Sequence, residues 1–220
     1  LFQPREPVAD TYVSLAPSFD AALNPSALGA AFARHFPEMP PMAFPRADAD
    51  TLDRLERGWW RLLVKKVTSD CGGIADFDGY FDALYAYYSR GSAWSLYPEV
   101  VEVLHGLRAR GLRTAVVSNF DSRLIAILAE LGIADLFDAV IYSTAAGVAK
   151  PDARIFEMAL EALGTASSST VHLGDTKTAD YFGSTNAEMR GLLIARDHRV
   201  PTDVPSSNVI ARLDGVFAHI

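Results

Sequence analysis

The spacing of apolar residues changes near Leu96-Tyr97-Pro98. Before this point apolar residues recur at the interval of an amphipathic helix, and a proline-rich loop interrupts the pattern between the second and third helical stretches. We therefore predict a small helical bundle in this part of the chain. The predicted helices cover residues 8–16, 25–36, 50–67 and 76–88.

After Pro98, helical stretches alternate with short runs rich in β-branched residues. Gly111, Gly132 and Gly164 each follow a helical stretch, the usual place for a glycine that ends a helix. Repeated β–α units of this length predict an α/β fold with a doubly wound parallel sheet. The predicted elements are helices 99–110, 121–131, 152–163 and 179–189, strands 113–117, 139–142, 170–173 and 191–195, and an edge strand or short helical tail at 209–213.

Composition limits the class of protein. The chain has 220 residues, of which 50% are hydrophobic, and a formal net charge of −7. This size suits one substantial domain, or a core domain with a smaller insert. The negative charge argues against general nucleic-acid binding, and no apolar run approaches the roughly 18 residues that span a membrane. Cys71 is the only cysteine, so we expect an intracellular reducing compartment, the cytoplasm or an organelle interior.

Polar residues follow three of the predicted strands or open the helices after them. Ser118 and Asn119 follow the first strand, Lys150 precedes a helix, and Asp175 and Asp180 flank the loop after a third strand. Polar groups at the carboxyl ends of parallel strands converge on one crevice. A hydroxyl, a lysine and two carboxylates there suit a phosphate held beside Mg²⁺.

Each of these residues also has a purely structural interpretation. Ser118, Asn119 and Asp175 suit helix caps or turns, Asp180 suits a helix N-terminus, and a lysine such as Lys150 is usually solvated. Three further side chains have more than one interpretation. His172 fits a hydrogen-bonded core histidine better than a ligand. Trp60 and Tyr88 either fill the helical bundle or line a substrate pocket.

Four segments occur in an order and spacing that are specific when taken together. They are Leu1-Phe2-Gln3-Pro4, Val117-Ser118-Asn119-Phe120-Asp121, Lys150-Pro151-Asp152 with Arg154-Ile155-Phe156, and Gly174-Asp175 with Asp180-Tyr181. They resemble the stretch just after the first motif, and then the second, third and fourth motifs, of the haloacid dehalogenase superfamily of hydrolases. The resemblance runs through nearly the whole chain. It implies a Rossmann-like core formed by residues 1–7 and 96–220, with residues 8–95 as an inserted helical cap.

The same resemblance implies a magnesium-dependent phosphatase that acts on a small phosphorylated metabolite. In the superfamily an aspartate of the first motif attacks phosphate, and water hydrolyses the resulting aspartyl-phosphate. Ser118 and Asn119 would then bind phosphate, Lys150 would neutralise the nucleophile and the phosphate, and Asp175 and Asp180 would hold Mg²⁺. The nucleophile would lie upstream of Leu1, so the chain from Leu1 onward would be inactive by itself.

Two departures from the superfamily pattern keep an alternative open. The strand that carries the first motif is missing between the strands that would flank it, which leaves unpaired edges. Glu188 stands where a glycine would end a helix. The alternative is a catalytically inactive protein that serves as a subunit of a larger assembly, with protein partners. A receiver-like signalling domain would be shorter and would lack the helical insert, and dehalogenase chemistry has no need of a magnesium-binding pair.

Overall fold

The computed structural model describes residues 1–220, apart from the side chain of residue 49. Helices α1 (Val8–Leu15), α2 (Pro25–His35), α3 (Ala49–Ser69) and α4 (Phe77–Tyr88) form what we call the helical segment. They match the four predicted helices to within two residues at each end. Asn24, Asp48 and Asp76 cap the N-termini of α2, α3 and α4, because each side chain accepts a hydrogen bond from the N–H three residues later.

The helical segment has its own apolar core, in which Leu63, Tyr80 and Phe81 are among the buried side chains. Its two ends are joined by a short antiparallel ladder, in which β1 (Phe2–Pro4) pairs with β2 (Trp94–Leu96). This ladder is not predicted from the sequence. Strands of three residues are too short to show the alternation of polar and apolar positions by which strands are recognised.

The rest of the chain alternates helices with parallel strands, as predicted. Its elements are α5 (Val100–Ala109), β3 (Ala115–Ser118), α6 (Arg123–Glu130), β4 (Ala139–Tyr142), α7 (Ser143–Ala146), α8 (Ala153–Leu163), β5 (Val171–Gly174), α9 (Gly183–Asn186), β6 (Arg190–Ile194) and β7 (Val209–Ile210). All strand pairs formed by β3 to β7 are parallel. The α/β class and the parallel sheet are therefore confirmed.

Alternate residues of β3 and β4 enter different cores. Val116 pairs with Val140, and both belong to the core that includes residues of α5 and α6. Val117 pairs with Ile141, and both pack against the cluster of Ile155 and Phe156 from α8. Because successive side chains of a strand point to opposite faces, helices cover both faces of the sheet. This is the doubly wound arrangement.

The sheet is divided. Within the described residues, β3 pairs with β4, and β5 pairs with β6 and then β7, but β3 and β5 are not hydrogen-bonded to each other. A groove of about 310 Å³ lies between the two parts, lined by residues of both, among them Val116 and Leu173. The unpaired edges predicted for the flanking strands are present here.

The structure differs from the prediction in the helix expected over residues 179–189. Instead of a regular helix over 179–189, the chain forms a π-helical turn over Lys177–Phe182 and then the short helix α9. The carbonyl of Thr176 accepts from the N–H groups of Asp180 and Tyr181, the second bond spanning five residues as in a π-helix, and the Asp180 carboxylate accepts from the Thr176 N–H. Farther on, Glu188 has a φ of 59°, the left-handed conformation that explains why a glycine would be expected there.

The chain ends with both structures that the sequence left open. Val209–Ile210 forms β7, the edge strand beside β6, and a 3₁₀ helix follows over Leu213–Ala218. Throughout the described residues, every helix falls short of the length and apolar character that crossing a membrane would require.

Candidate active site

The predicted site residues converge at the carboxyl ends of β3 and β5. Ser118, Lys150, Asp175 and Asp180 all line the groove of about 310 Å³ that separates the two parts of the sheet. Ser118 ends β3, Asp175 directly follows β5, and Lys150 lies in the loop before α8. The groove thus places a hydroxyl and a cation from one part of the sheet opposite two carboxylates from the other.

Lys150 joins the two parts of the sheet. Its Nζ donates to the carbonyl of Val117 on β3 at 2.8 Å and to Oδ1 of Asp180 at 2.6 Å. The Lys150 and Asp180 side chains are only 11% and 5% exposed. The attraction between two charges so shielded from water is much stronger than between two surface charges. Lys150 is therefore not the solvated surface lysine of the structural interpretation.

Asn119 fixes the backbone that carries Lys150. Its Oδ1 accepts from the Lys150 N–H at 2.8 Å, and its Nδ2 donates to the Lys150 carbonyl at 3.0 Å. The next peptide bond along the chain, between Lys150 and Pro151, is cis. The amide of Asn119 is thus used within the protein, and only its backbone remains for the phosphate contact that the sequence predicted. Neither Ser118 nor Asn119 caps α6, because the helix begins after Ser122.

Asp180 has three hydrogen-bond partners. Besides Lys150, it accepts from the Thr176 N–H at 2.9 Å and lies 3.2 Å from Nε2 of His172. Burial alone would raise the pKa of Asp180, but the hydrogen bond with His172 and the charge of Lys150 hold this pKa well below its ordinary value. The carboxylate therefore stays ionised. Its side chain lies so close to Gly174 that a Cβ there would come within 2.1 Å of Cγ, which explains why the residue before Asp175 is a glycine.

His172 has the structural role predicted for it. The ring is buried in β5, hydrogen-bonded to Asp180 and packed edge-on against Phe156, with 5.0 Å between ring centroids. Burial lowers the pKa of His172, although the bond with Asp180 acts in the opposite direction. A neutral ring that donates from Nε2 satisfies this geometry.

The donor set fits Mg²⁺ in part. Asp175 lines the groove and, among the described residues, forms no side-chain hydrogen bond, so its carboxylate remains for a hard cation. Asp180 already accepts bonds on both oxygens. No cluster of three or more His, Cys, Asp or Glu side chains suited to a metal occurs within the part of the chain that the structure describes. A magnesium ion here would depend on one or two carboxylates together with water and phosphate oxygens, which is its usual coordination.

Comparison with known proteins identifies the family. Residues 5–186 match the family described as haloacid dehalogenase-like hydrolase. The chain belongs to this family. It is similar to the haloacid dehalogenase-like hydrolase domain-containing protein 3 of Danio rerio, with 31% identity over 224 residues that cover 100% of this chain and 92% of the relative.

Two other relatives of the chain are named as phosphatases. A phosphoserine phosphatase of Thermus thermophilus is 34% identical over 56% of this chain and 49% of its own length. A glyceraldehyde 3-phosphate phosphatase of Methanothermobacter thermautotrophicus is 35% identical over 44% of each chain. A phosphatase-like function in the haloacid dehalogenase family is therefore supported.

Solved structures of the family share the fold. A family hydrolase of Bacillus subtilis, described as bound to magnesium, aligns with a TM-score of 0.70 and 16% identity, covering 96% of this chain and 92% of that one. A phosphatase of the family from Thermococcus onnurineus aligns with a TM-score of 0.66 and 19% identity, covering 96% and 86%. At these identities the likeness concerns the fold alone.

Sequence reasoning missed a second set of buried polar residues beside the family motifs. Glu56 on α3 is fully buried and accepts hydrogen bonds from Ser122 and Thr144. Asp121 is also fully buried, and it accepts from the indole of Trp60 at 2.6 Å. Glu56 is distant in sequence from both of its partners, so no local pattern relates them.

Trp60 and Tyr88, which the sequence left between core and pocket, line a separate apolar cavity of about 80 Å³ between the helical segment and Phe120. The guanidinium of Arg123 stacks on Tyr85 in the same wall, 4.1 Å from the ring centroid. The hydroxyls of Tyr85 and Tyr88 are buried without a hydrogen-bond partner among the described residues. The cavity is smaller than the engineered cavity of about 150 Å³ that accepts benzene.

Proposed function

We propose that the protein is a magnesium-dependent phosphatase that hydrolyses a small phosphorylated metabolite through an aspartyl-phosphate. The observation that carries the proposal is the groove at the carboxyl ends of β3 and β5, where Ser118, Lys150 and Asp175 line one space. Hydroxyl, ammonium and carboxylate groups in this arrangement can bind phosphate beside a cation. The two relatives named as phosphatases support the same reaction class.

In this proposal the nucleophile is an aspartate on a segment that precedes Leu1. The segment would lie as a strand between β3 and β5, which are not hydrogen-bonded to each other within the described residues. Leu1 and Phe2 line the groove, so a strand parallel to β3 and β5 would end beside them. Nucleophilic attack from this strand would divide a difficult hydrolysis into two easier steps.

The remaining roles follow from the contacts within the groove. Lys150, fixed by Asn119 and Asp180, would neutralise charge on the nucleophile and the phosphate. Ser118 would donate its hydroxyl to a phosphate oxygen. Asp175 would hold Mg²⁺, which when bound polarises a phosphoryl oxygen as a Lewis acid. Asp180 would position Lys150 and complete the metal site through water or its remaining lone pairs.

The helical segment would act as the cap, with residues 8–95 inserted into a core of residues 1–7 and 96–220. Its α3 contacts the loop after β3 through Glu56 and Trp60. A cap placed there would exclude water from the groove and select the substrate. The relatives named above do not support the alternative of an inactive assembly subunit.

The test is hydrolysis of an aryl phosphate by the full chain, including the segment before Leu1. We expect turnover that requires Mg²⁺ and is abolished by EDTA. We also expect a phosphoenzyme in acid-quenched samples, and hydroxylamine should release its phosphate. Hydroxylamine cleaves acyl phosphates and leaves serine phosphate intact, so the quench identifies the type of bond. A full chain without Mg²⁺-dependent turnover, or with a phosphoenzyme that resists hydroxylamine, would contradict the proposal.

A further inference from the structure

Glu56 is a charged residue of the helical segment that lies entirely inside the protein. Its side chain is 0% exposed. Oε1 accepts from the Ser122 N–H at 3.1 Å and from the Thr144 hydroxyl, and Oε2 accepts from the Ser122 hydroxyl. No cation lies within salt-bridge distance of Glu56 among the described residues. Burying a carboxylate without a cation is costly, and the cost is offset only while all three donors stay in place.

The three donors belong to the ends of two neighbouring strands. Ser122 lies four residues beyond Ser118, at the start of α6, and Thr144 lies two residues beyond the end of β4. Ser122 has no side-chain cap of its own within α6. Glu56 thus satisfies an N–H at the start of α6 from a different helix, where a negative charge is also favoured by the helix dipole.

A second contact from α3 reinforces the first. Trp60, one turn after Glu56, donates its indole N–H to Asp121, which also holds Arg123 through two guanidinium nitrogens. We call these hydrogen bonds, which join Glu56 to Ser122 and Thr144 and join Trp60 to Asp121, the α3 clamp. The clamp fixes the far end of a five-residue segment whose near end is Ser118.

We propose that Glu56 is a positioning residue for the phosphate site, acting through Ser122. The segment 118–122 carries the phosphate-binding candidate Ser118 and, through the Asn119 amide, the backbone of Lys150. Packing of the helical segment against the rest of the chain therefore also orders the phosphate site. The inference rests on the proposed phosphatase function, but its structural half can be measured without turnover.

Glu56→Gln tests the inference with little change of shape. The amide keeps one oxygen that accepts hydrogen bonds, but an NH₂ group replaces the other carboxylate oxygen. One hydrogen bond of the α3 clamp is therefore lost or reversed in direction. We expect kcat with an aryl phosphate to fall about ten- to hundredfold, the range typical of residues that orient a ligand from behind. We also expect faster hydrogen exchange of the amides of residues 119–122, with β6 amides unchanged.

Asp53→Asn is the matched control, because Asp53 is exposed on the same helix and its replacement removes the same charge. It should change neither kcat nor exchange. Thr144→Val combined with Glu56→Gln should reduce kcat by less than the product of the single effects, because both weaken the same α3 clamp. Thr144→Val also supplies a milder variant if Glu56→Gln does not fold.

The outcomes separate this inference from the proposed function. A wild-type chain without phosphatase activity overturns the proposed function, while exchange at residues 119–122 still reports on the clamp. The inference is overturned if the wild type is active and the folded Glu56→Gln variant shows the same kcat and the same hydrogen exchange as the wild type. Equal losses in Glu56→Gln and Asp53→Asn would also overturn it, since a general charge effect would then explain the result.

Discussion

The two parts of the divided sheet contribute different chemistry to the groove. The β3–β4 part supplies a hydroxyl at Ser118 and, in the loop that follows β4, the ammonium of Lys150. The β5–β6–β7 part supplies the carboxylates of Asp175 and Asp180. In the proposed function, groups from both parts bind the phosphate and the cation. The proposed site therefore requires that the two parts keep their relative position.

The two parts also differ in how their residues are held. Asp180 is fixed largely within its own part, by the Thr176 N–H and by His172. Lys150 depends on β3 through Asn119 and Val117, and on the other part through Asp180. We call the β5–β6–β7 part the carboxylate part, and its carboxylate Asp180 is thus held mainly by its own residues. We call the Lys150–Asp180 ion pair the joint, because it fixes the loop that carries Lys150 to the carboxylate part. Four substitutions test this contrast.

Asp175→Asn should have the largest effect, because it removes charge from the carboxylate part without altering shape. We expect kcat/KM of the full chain to fall on the order of 10³-fold, a loss comparable to removing a principal electrostatic contact to the transition state. Thermal stability should stay constant, since Asp175 makes no side-chain hydrogen bond among the described residues. Steady-state kinetics at increasing Mg²⁺ concentration measures the loss. Asp197→Asn, in the exposed turn after β6, is the control and should keep full activity. Wild-type kinetics for Asp175→Asn would exclude Asp175 from the site.

Lys150→Met should break the joint itself. The variant leaves Asp180 buried and without its cation, and breaking such a pair costs about 3 kcal/mol of unfolding free energy. Lys177→Met is the matched control, because Lys177 pairs with Asp203 at 2.9 Å on the surface, with both side chains more than 40% exposed. Water screens that pair, so it should contribute little to stability. Urea unfolding of both variants gives the comparison, and equal losses would mean that the joint carries no special stability.

The contrast between the two parts also explains what the sequence could predict. Strand ends and the residues just after them are local features, so Ser118, Asp175 and Asp180 were found from apolar runs followed by polar residues. Parallel topology then implied that these residues share one edge of the sheet. The structure places them in one groove, with Lys150 among them.

Contacts between distant segments could not be predicted in this way. The hydrogen bond that the Thr144 hydroxyl donates to Glu56 joins residues 88 positions apart, and the Asn119 amide bonds to the backbone of Lys150, 31 positions away. The π-helical turn at Asp180 was also not predicted, because the five-residue hydrogen bond from the Tyr181 N–H to the Thr176 carbonyl leaves no mark on the apolar period. Pattern reading finds which residues reach an edge, but not which of them bond to each other.

Ser118→Ala tests the weaker contribution of the β3–β4 part. The hydroxyl makes no hydrogen bond among the described residues, so stability should not change. Loss of one hydrogen bond to a charged phosphate should lower kcat/KM about tenfold. Ser118→Thr keeps the hydroxyl and should recover most of the activity. Kinetics that are equal for Ser118→Ala and wild type would show that this part contributes only Lys150.

Glu188→Gly should have the smallest effect, and it asks whether the irregular backbone of the carboxylate part serves the site. Glu188 holds a φ of 59°, which costs a residue with a Cβ about 1 kcal/mol more than glycine. We therefore expect the unfolding free energy to rise by about 0.5 to 1 kcal/mol, with kcat unchanged, in urea unfolding and steady-state assays. Glu188→Ala removes the same carboxylate but keeps the Cβ, so it should give no such gain. If Glu188→Gly instead lowered kcat, the strained turn before β6 would have to be counted among the elements that hold Asp175 and Asp180 in place.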